Sequence, residues 1–191
     1  MFMKLMRPAV SLLVLMTLLV GIVYPLIITG AAQAAFPHQA AGSLIYREGK
    51  LIGSRLIGQS FSDPKYFWGR PSATTPQPNN GLASSGSNLG PLNPALLDAV
   101  KANAKALHDA DPDNQQAVPV DLVTASASGL DPEESLAAAE YQAARVARAR
   151  HLELAQVEAL IRSHARERLW GFIGERRINV LELNLALDRL H

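Results

Sequence analysis

The 191-residue chain contains no cysteine, which excludes disulfide staples, thiolate metal sites and a cysteine nucleophile. It carries no surplus of either charge: the net value is +1, whereas a nucleic-acid binder needs a clear basic excess. Aromatic residues make up only 6% of the chain, yet Tyr66, Phe67 and Trp68 stand in a row. No Gly-x-x-x-x-Gly-Lys-Ser/Thr loop is present to cradle phosphates. Ser128, His164 and Asp131 could be imagined as a hydrolytic set, but the Gly-x-Ser-x-Gly elbow that presents a serine nucleophile is missing. The five histidines (His38, His108, His151, His164, His191) show no His-Glu-x-x-His or His-x-x-Glu-His spacing, so no metal site is expected. His164, on the apolar side of an expected helix, reads as a packing residue.

Charge is also missing locally. Between Arg7 and Arg47 there is no Lys, Arg, Asp or Glu, and residues 9–28 are almost wholly apolar. Twenty residues at about 1.5 Å each give a helix of about 30 Å, the thickness of a bilayer's hydrocarbon core. Pro25 removes one helical hydrogen bond and is expected to bend or end the span. Lys4 and Arg7 at the leading flank place the N-terminus in the cytoplasm by the positive-inside rule, and everything after the span outside. Ala32-Gln33-Ala34 has the form of a signal-peptidase site, so a cleaved leader competes with a retained anchor; the apolar run exceeds the 7–15 residues or so of a leader. The chain thus divides into an anchor over residues 1–35 and an extracytoplasmic domain over residues 36–191.

That domain reads as mixed α/β, a small α+β unit. Residues 44–46 and 50–52 flank Arg47-Glu48-Gly49 as a hairpin, with Gly49 free to take positive φ. Residues 62–93 follow neither helical nor strand period, and their aromatics argue against plain disorder. Asn93-Pro94 opens a helix with Leu96, Leu97, Val100, Ala104 and Leu107 on one face, stopping before Asp111-Pro112. Residues 118–123 are β-prone, with Pro119 confining them to an edge. Asp131-Pro132-Glu133-Glu134 reads as a helix start with Asp131 as N-cap, the helix running to about Arg150. Further helices are expected over about 154–166 and from an Asn179 cap through Leu190, with Gly171 and Gly174 breaking the chain between them.

Several stretches, taken in order, resemble the C-subunit family of the Kdp potassium-transporting P-type ATPases. They include Phe36-Pro37-His38-Gln39-Ala40, Leu56-Ile57-Gly58-Gln59, Tyr66-Phe67 with Arg70-Pro71-Ser72-Ala73, and Ser85-Gly86-Ser87-Asn88-Leu89-Gly90-Pro91. Val118-Pro119-Val120-Asp121-Leu122-Val123-Thr124-Ala125-Ser126, Ser128-Gly129-Leu130-Asp131-Pro132, Tyr141-Gln142, Gly171-Phe172-Ile173-Gly174-Glu175 and Asn179-Val180-Leu181 complete the pattern. The resemblance spans nearly the whole chain, anchor included. Arg176 departs from it where the family usually has proline, and His151 where a turn glycine is common.

The resemblance implies a retained helix and an inner-membrane, single-pass protein without catalytic residues. It also implies a complex: a potassium-translocating A subunit, an ATP-hydrolysing B subunit and a small F subunit as partners, beside membrane lipid and without nucleic acid. The Asp-Lys-Thr-Gly-Thr motif of the hydrolytic subunit is absent. The C subunit is described as an assembly factor and catalytic chaperone that raises the ATP affinity of its hydrolytic partner. The implied nucleotide contacts are Ser128, Gly129 and Gln142, with ATP at most a ligand shared with the B subunit and no cofactor firmly bound. The residues themselves favour another use of that stretch: Ser126, Ser128, Gly129 and Asp131 closing a loop and capping a helix, Gln142 on the helix surface, and Asp131 repelling phosphate. An extracytoplasmic domain also cannot touch cytoplasmic ATP. Tyr66, Phe67, Trp68 and Arg70 are the candidate partner interface, aromatics and arginine being favoured at interface centres; an internal aromatic cluster stapling the long loop is the competing use. A free-standing anchored periplasmic enzyme or ligand-binding module is the alternative to a complex subunit.

Overall fold

A computed structural model describes residues 2–190, with side chains from residue 5 onward. The Lys4 side chain, which the orientation argument uses, and His191 lie outside the described residues. The chain forms two compact units, Met1–Ile52 and Gly53–His191.

The first unit is dominated by one apolar helix, Leu5–Ala35, of 31 residues. At about 1.5 Å per residue it measures about 46 Å, longer than the hydrocarbon core needs. It is built of α1 (Phe2–Leu18), a π-helical turn over Leu19–Val23 and α2 (Tyr24–Ala35). Pro25 therefore does not end the span. A proline ring crowds the carbonyl four residues back, here Gly21, and that carbonyl lies in the wider π turn. A short α3 (Pro37–Ala40) follows, then β1 (Leu44–Arg47) and β2 (Lys50–Ser54), whose last residues enter the second unit. Glu48 and Gly49 both take positive φ, +53° and +76°, the geometry of a two-residue hairpin turn.

In the second unit, residues 55–93 form no helix or strand. α4 (Pro94–Ala110) begins where expected, Asn93 Oδ1 accepting from the Ala95 N–H at 3.0 Å. Leu97, expected on its packed face, is exposed. Residues 118–123 make no strand; Val120–Leu122 is a single 3₁₀ turn, consistent with Pro119 supplying no donor for a ladder.

Asp131 does not cap a helix. Glu133–Ser135 is β3, paired antiparallel with β4 (Arg177–Asn179) so that Glu134 faces Ile178. Asp131 instead makes an Asx-type turn, Oδ1 accepting from the Glu133 N–H at 3.0 Å. The cap falls to Ser135, whose Oγ accepts from the Ala138 N–H at 3.0 Å and opens α5 (Leu136–Arg150). β4 repeats the arrangement: its last residue, Asn179, caps α7 (Val180–Leu187) by accepting from the Glu182 N–H at 3.0 Å. Two three-residue strands thus each run straight into a helix whose cap is the strand's final residue.

α5 is the central element. Seven of its fifteen residues are alanine, small enough for neighbours to approach from several sides. Ala139, Ala143, Val146 and Ala147 meet α6 (Leu154–His164) and α7 through Val157, Ile161, Leu183 and Leu187. Ala138 and Tyr141 meet Leu107, Leu122 and Val123 on another side. His164 is half-buried with Nδ1 3.0 Å from the Leu160 carbonyl oxygen, a packing residue at the end of α6.

α5 ends at His151 with φ +56°, and the Leu152 N–H reaches back to the Ala147 carbonyl at 3.0 Å. This is a Schellman closure, whose left-handed position ordinarily belongs to glycine. His151 therefore carries backbone strain that glycine would not. His151→Gly is expected to stabilise the second unit by about 1 kcal/mol, raising its melting temperature by about 3 °C. Tryptophan fluorescence of the detergent-solubilised chain would follow the transition; an unchanged or lower melting temperature would refute the strain.

Candidate functional site

Tyr66, Phe67, Trp68 and Gln142, all singled out by the sequence, meet along residues 64–68, which run from the exposed Pro64 and Lys65 to the buried Phe67. This segment is in no strand, so its buried peptide groups need partners from elsewhere. Asn184 supplies both for Phe67, Oδ1 accepting from the N–H at 2.9 Å and Nδ2 donating to the carbonyl at 3.0 Å. Gln142 does the same for Trp68, at 2.8 and 3.0 Å. Arg145 donates to the carbonyls of Pro64 and Tyr66, and Arg150 Nε to that of Lys65 at 2.8 Å. Every residue from Pro64 to Trp68 is thereby held through its backbone by a side chain of α5 or α7.

Sequence reasoning put Gln142 on the helix surface. The structure corrects this: Gln142 is 1% exposed. Its oxygen accepts from Trp68 and from Arg145 at 2.7 Å; its nitrogen donates to Trp68, to Glu134 Oε2 at 3.0 Å and to the Ala138 carbonyl at 3.3 Å. An amide offers two donors and two acceptor sites, and all are occupied from within the protein.

Phe67 is likewise not a surface residue. It is fully buried in the α5–α6–α7 core, burial that stabilises by about 1.5–3 kcal/mol. Tyr66, Trp68 and Arg70 are half-buried. The Trp68 ring lies 4.5 Å from the Arg145 guanidinium, Tyr66 lies 4.7 Å from that of Arg150 and 5.4 Å from the Phe61 ring, and Arg70 pairs with Asp131 at 2.9 Å. These contacts tie Tyr66 and Trp68 to α5 and Arg70 to Asp131.

The small-residue stretch 124–131 is woven into the same loop. The Ser128 carbonyl accepts from the Ser85 N–H at 2.9 Å and the Ser84 hydroxyl at 3.0 Å, and Ser128 Oγ accepts from the Leu130 N–H at 3.1 Å. The Gly129 N–H donates to Ser126 Oγ at 2.9 Å and its carbonyl accepts from the Ser72 hydroxyl at 2.6 Å. Gly129 has φ +67°, and a Cβ there would lie 2.5 Å from the Ser85 carbonyl oxygen, so only glycine fits. Ser128, His164 and Asp131 each bond to other groups and form no relay. Among the described residues, no three His, Asp or Glu side chains gather as metal ligands.

Next to the clamp lie two buried ionisable groups. Burial pushes the Arg145 guanidinium down to about 10, opposed by the nearby Asp111 and Glu134 carboxylates; it stays a cation at neutral pH. Burial, and then the charge of Asp121, raise the Glu134 carboxyl well above the usual carboxylate range. Glu134 is 2% exposed and its Oε1 has no hydrogen-bond partner among the described residues. A cleft of about 500 Å³ opens beside it, its rim including Arg70, Asp121, Arg176 and Arg177.

A family model described as "K+-transporting ATPase, c chain" matches residues 6–189. The chain belongs to the KdpC family. A KdpC relative from Variovorax paradoxus (strain S110), named potassium-transporting ATPase KdpC subunit, is 66% identical over 95% of this chain and 94% of its own length. Relatives with the same name from Dechloromonas aromatica (strain RCB) and Sorangium cellulosum (strain So ce56) are 62% and 60% identical, each covering 96% of both chains. Shared length on this scale means that the KdpC-family pattern includes the apolar helix as well as the clamp.

Sequence reading found the clamped segment but missed three of its holders and neighbours, Asn184, Arg145 and Glu134. The available signal was polarity out of place: Asn184 interrupts a leucine-rich helix, and Arg145 sits on α5's alanine face.

Glu134 gives this site a pH signature. Because its folded pKa lies above the unfolded value of about 4.3, the folded state holds a proton that the unfolded chain gives up. Stability therefore falls as pH rises from the unfolded to the folded pKa. Glu134→Gln cannot ionise and keeps a carbonyl acceptor for Gln142. The variant is expected to gain melting temperature over wild type progressively from pH 4.5 to pH 8, with the smallest difference at the acid end. A difference that does not change with pH would show that Glu134 is ordinary.

Proposed function

We propose that this chain is the single-span accessory subunit of a K+-transporting ATPase complex and carries out no reaction itself. The observation that carries the reading is the family match from residue 6 to residue 189. Because it begins within the apolar helix, it supports a retained anchor over a cleaved leader.

The anchor sits in the plasma (inner) membrane with its N-terminus in the cytoplasm and the second unit outside. Arg7 before the helix, and the absence of further charge until Arg47, support this orientation. The sequence has no cysteine and Ser87 is exposed, so Ser87→Cys introduces a single thiol. In intact spheroplasts it is expected to react fully with a membrane-impermeant maleimide. Protection until lysis would reverse the orientation.

The partners are the potassium-translocating A subunit, the ATP-hydrolysing B subunit and the small F subunit, with the helix in lipid. The chain raises the ATP affinity of the B subunit as a catalytic chaperone, and does so through the complex rather than by holding nucleotide. The full internal occupation of Gln142 and the Gly129 amide's bond to Ser126 support that route. No cofactor is held firmly; ATP is at most shared with the hydrolytic subunit.

Isothermal titration of the purified full-length chain with ATP is expected to give no saturable heat. In the assembled complex, Ser128→Ala should leave the KM for ATP within about twofold of wild type. Saturable binding by the lone chain, weakened by Ser128→Ala, would instead establish direct contact.

A further inference from the structure

Glu134 sits where the clamp has no spare donors. Its side chain is buried, its Oε2 accepts from Gln142 Nε2 at 3.0 Å, and its Oε1 has no partner among the described residues. An ionised carboxylate offers about four acceptor sites, and here a single amide nitrogen answers them. That nitrogen is shared, because it also holds the Trp68 carbonyl at 3.0 Å. The next donor along is Arg145, which lies 2.7 Å from Gln142 Oε1 and is otherwise committed to the carbonyls of Pro64 and Tyr66.

The charged groups on the elements around β3 do not supply what is missing. The 3₁₀ turn contributes Asp121, whose Oδ2 accepts from the Ser135 N–H at 2.7 Å and whose charge opposes ionisation of Glu134. α5 contributes Arg145, which favours ionisation, and Tyr141, whose phenol burial holds neutral. β4 contributes Arg177, held by Glu133 at 2.7 Å; Arg166 also reaches Glu133, at 3.5 Å. On the cleft side Arg70 is held by Asp131 at 2.9 Å and Arg176 by Glu167 at 2.7 Å, and Glu175 adds a further negative charge.

A protonated Glu134 leaves this arrangement as it stands, and burial beside Asp121 keeps the proton on to a pH above the usual carboxylate range. Once rising pH removes it, the anion competes harder for donors, charge-assisted hydrogen bonds being roughly twice as strong as neutral ones. Gln142 and Arg145 are the donors in reach. Each can turn further toward Glu134 only by releasing backbone that it now holds.

We propose that Glu134 is a proton-sensitive latch on the 64–68 clamp: with its proton it leaves Gln142 and Arg145 on that segment, and on losing the proton it draws their donors away and frees the Trp68 backbone. The segment is then fixed at acid pH and loosens toward alkaline pH, within a unit that stays folded.

Hydrogen exchange of the detergent-solubilised full chain tests this, wild type being compared with Glu134→Gln at matched pH so that the intrinsic pH dependence cancels. From about pH 5 to about pH 9 the wild-type to variant ratio at the Trp68 amide is expected to rise about tenfold more than at the α6 amides, the loss of one hydrogen bond. A flat ratio would overturn the latch. So would a rise shared equally by α6, which would be global stability alone.

A second measurement does not depend on the folding of Glu134→Gln. The chain has two tryptophans, so Trp170→Phe leaves Trp68 as its one indole. In that background acrylamide quenching of Trp68 should rise reversibly with pH, and Asp121→Asn should move the midpoint to lower pH. No rise, or a midpoint that Asp121→Asn leaves in place, would remove Glu134 as the cause.

Discussion

The second unit depends on a loop segment, residues 64–68, that runs from an exposed turn at Pro64-Lys65 into the core at Phe67 with no neighbouring strand. An extended chain in a core ordinarily joins a sheet, which satisfies its N–H and C=O groups together. Here the amides of Gln142 and Asn184 do that work, each presenting a donor and an acceptor at about the spacing of a peptide group. Truncating either amide leaves two buried backbone groups without partners, at a cost of about 1–3 kcal/mol each. One amide comes from α5 and the other from α7, so the segment fixes both helices and is fixed by them.

That solution draws ionisable groups inside. Gln142 needs its oxygen oriented toward Trp68, and Arg145 helps hold it there by donating to the same atom. Arg145 in turn finds carbonyl acceptors in Pro64 and Tyr66 and an aromatic face in Trp68. Glu134 on the far side of the amide has less support, one contact from Gln142 and none for Oε1. Burial and the nearby charge of Asp121 both push its carboxyl above the usual carboxylate range. The hub thus keeps the cation, which is well solvated by carbonyls, and disfavours the anion, which is not.

The sequence was legible where its signals are local. Asn93-Pro94, Asn179 with Glu182, and the Arg47-Glu48-Gly49 turn each work within four residues of chain, and each forms, the turn one residue tighter than expected because Arg47 ends β1. Asp131-Pro132-Glu133-Glu134 carries an equally good local signal and fails. Pairing of residues 133–135 with 177–179 overrides it, and Ser135 then provides the cap one turn later. Gln142 and Asn184 were illegible for the same reason: their partners lie 74 and 117 residues away. A polar residue in an apolar stretch announces a buried partner without saying where that partner is. The family resemblance was readable because it depends on the order of short motifs, not on how they fold together.

This interior also constrains how such a subunit can act. Its best-placed polar side chains are spent on its own backbone, so any contact it makes with another protein has to use its surface and its apolar helix. A change in a partner's ATP affinity then requires contacts that differ in free energy between two states of the complex, because a ligand or subunit with equal affinity for both shifts nothing. A soft surface would adapt to both states and couple them weakly. A scaffold stapled through five consecutive residues cannot adapt in that way. It can favour the state whose surface fits it, and the rigidity built by Gln142 and Asn184 is what would make such a contact selective.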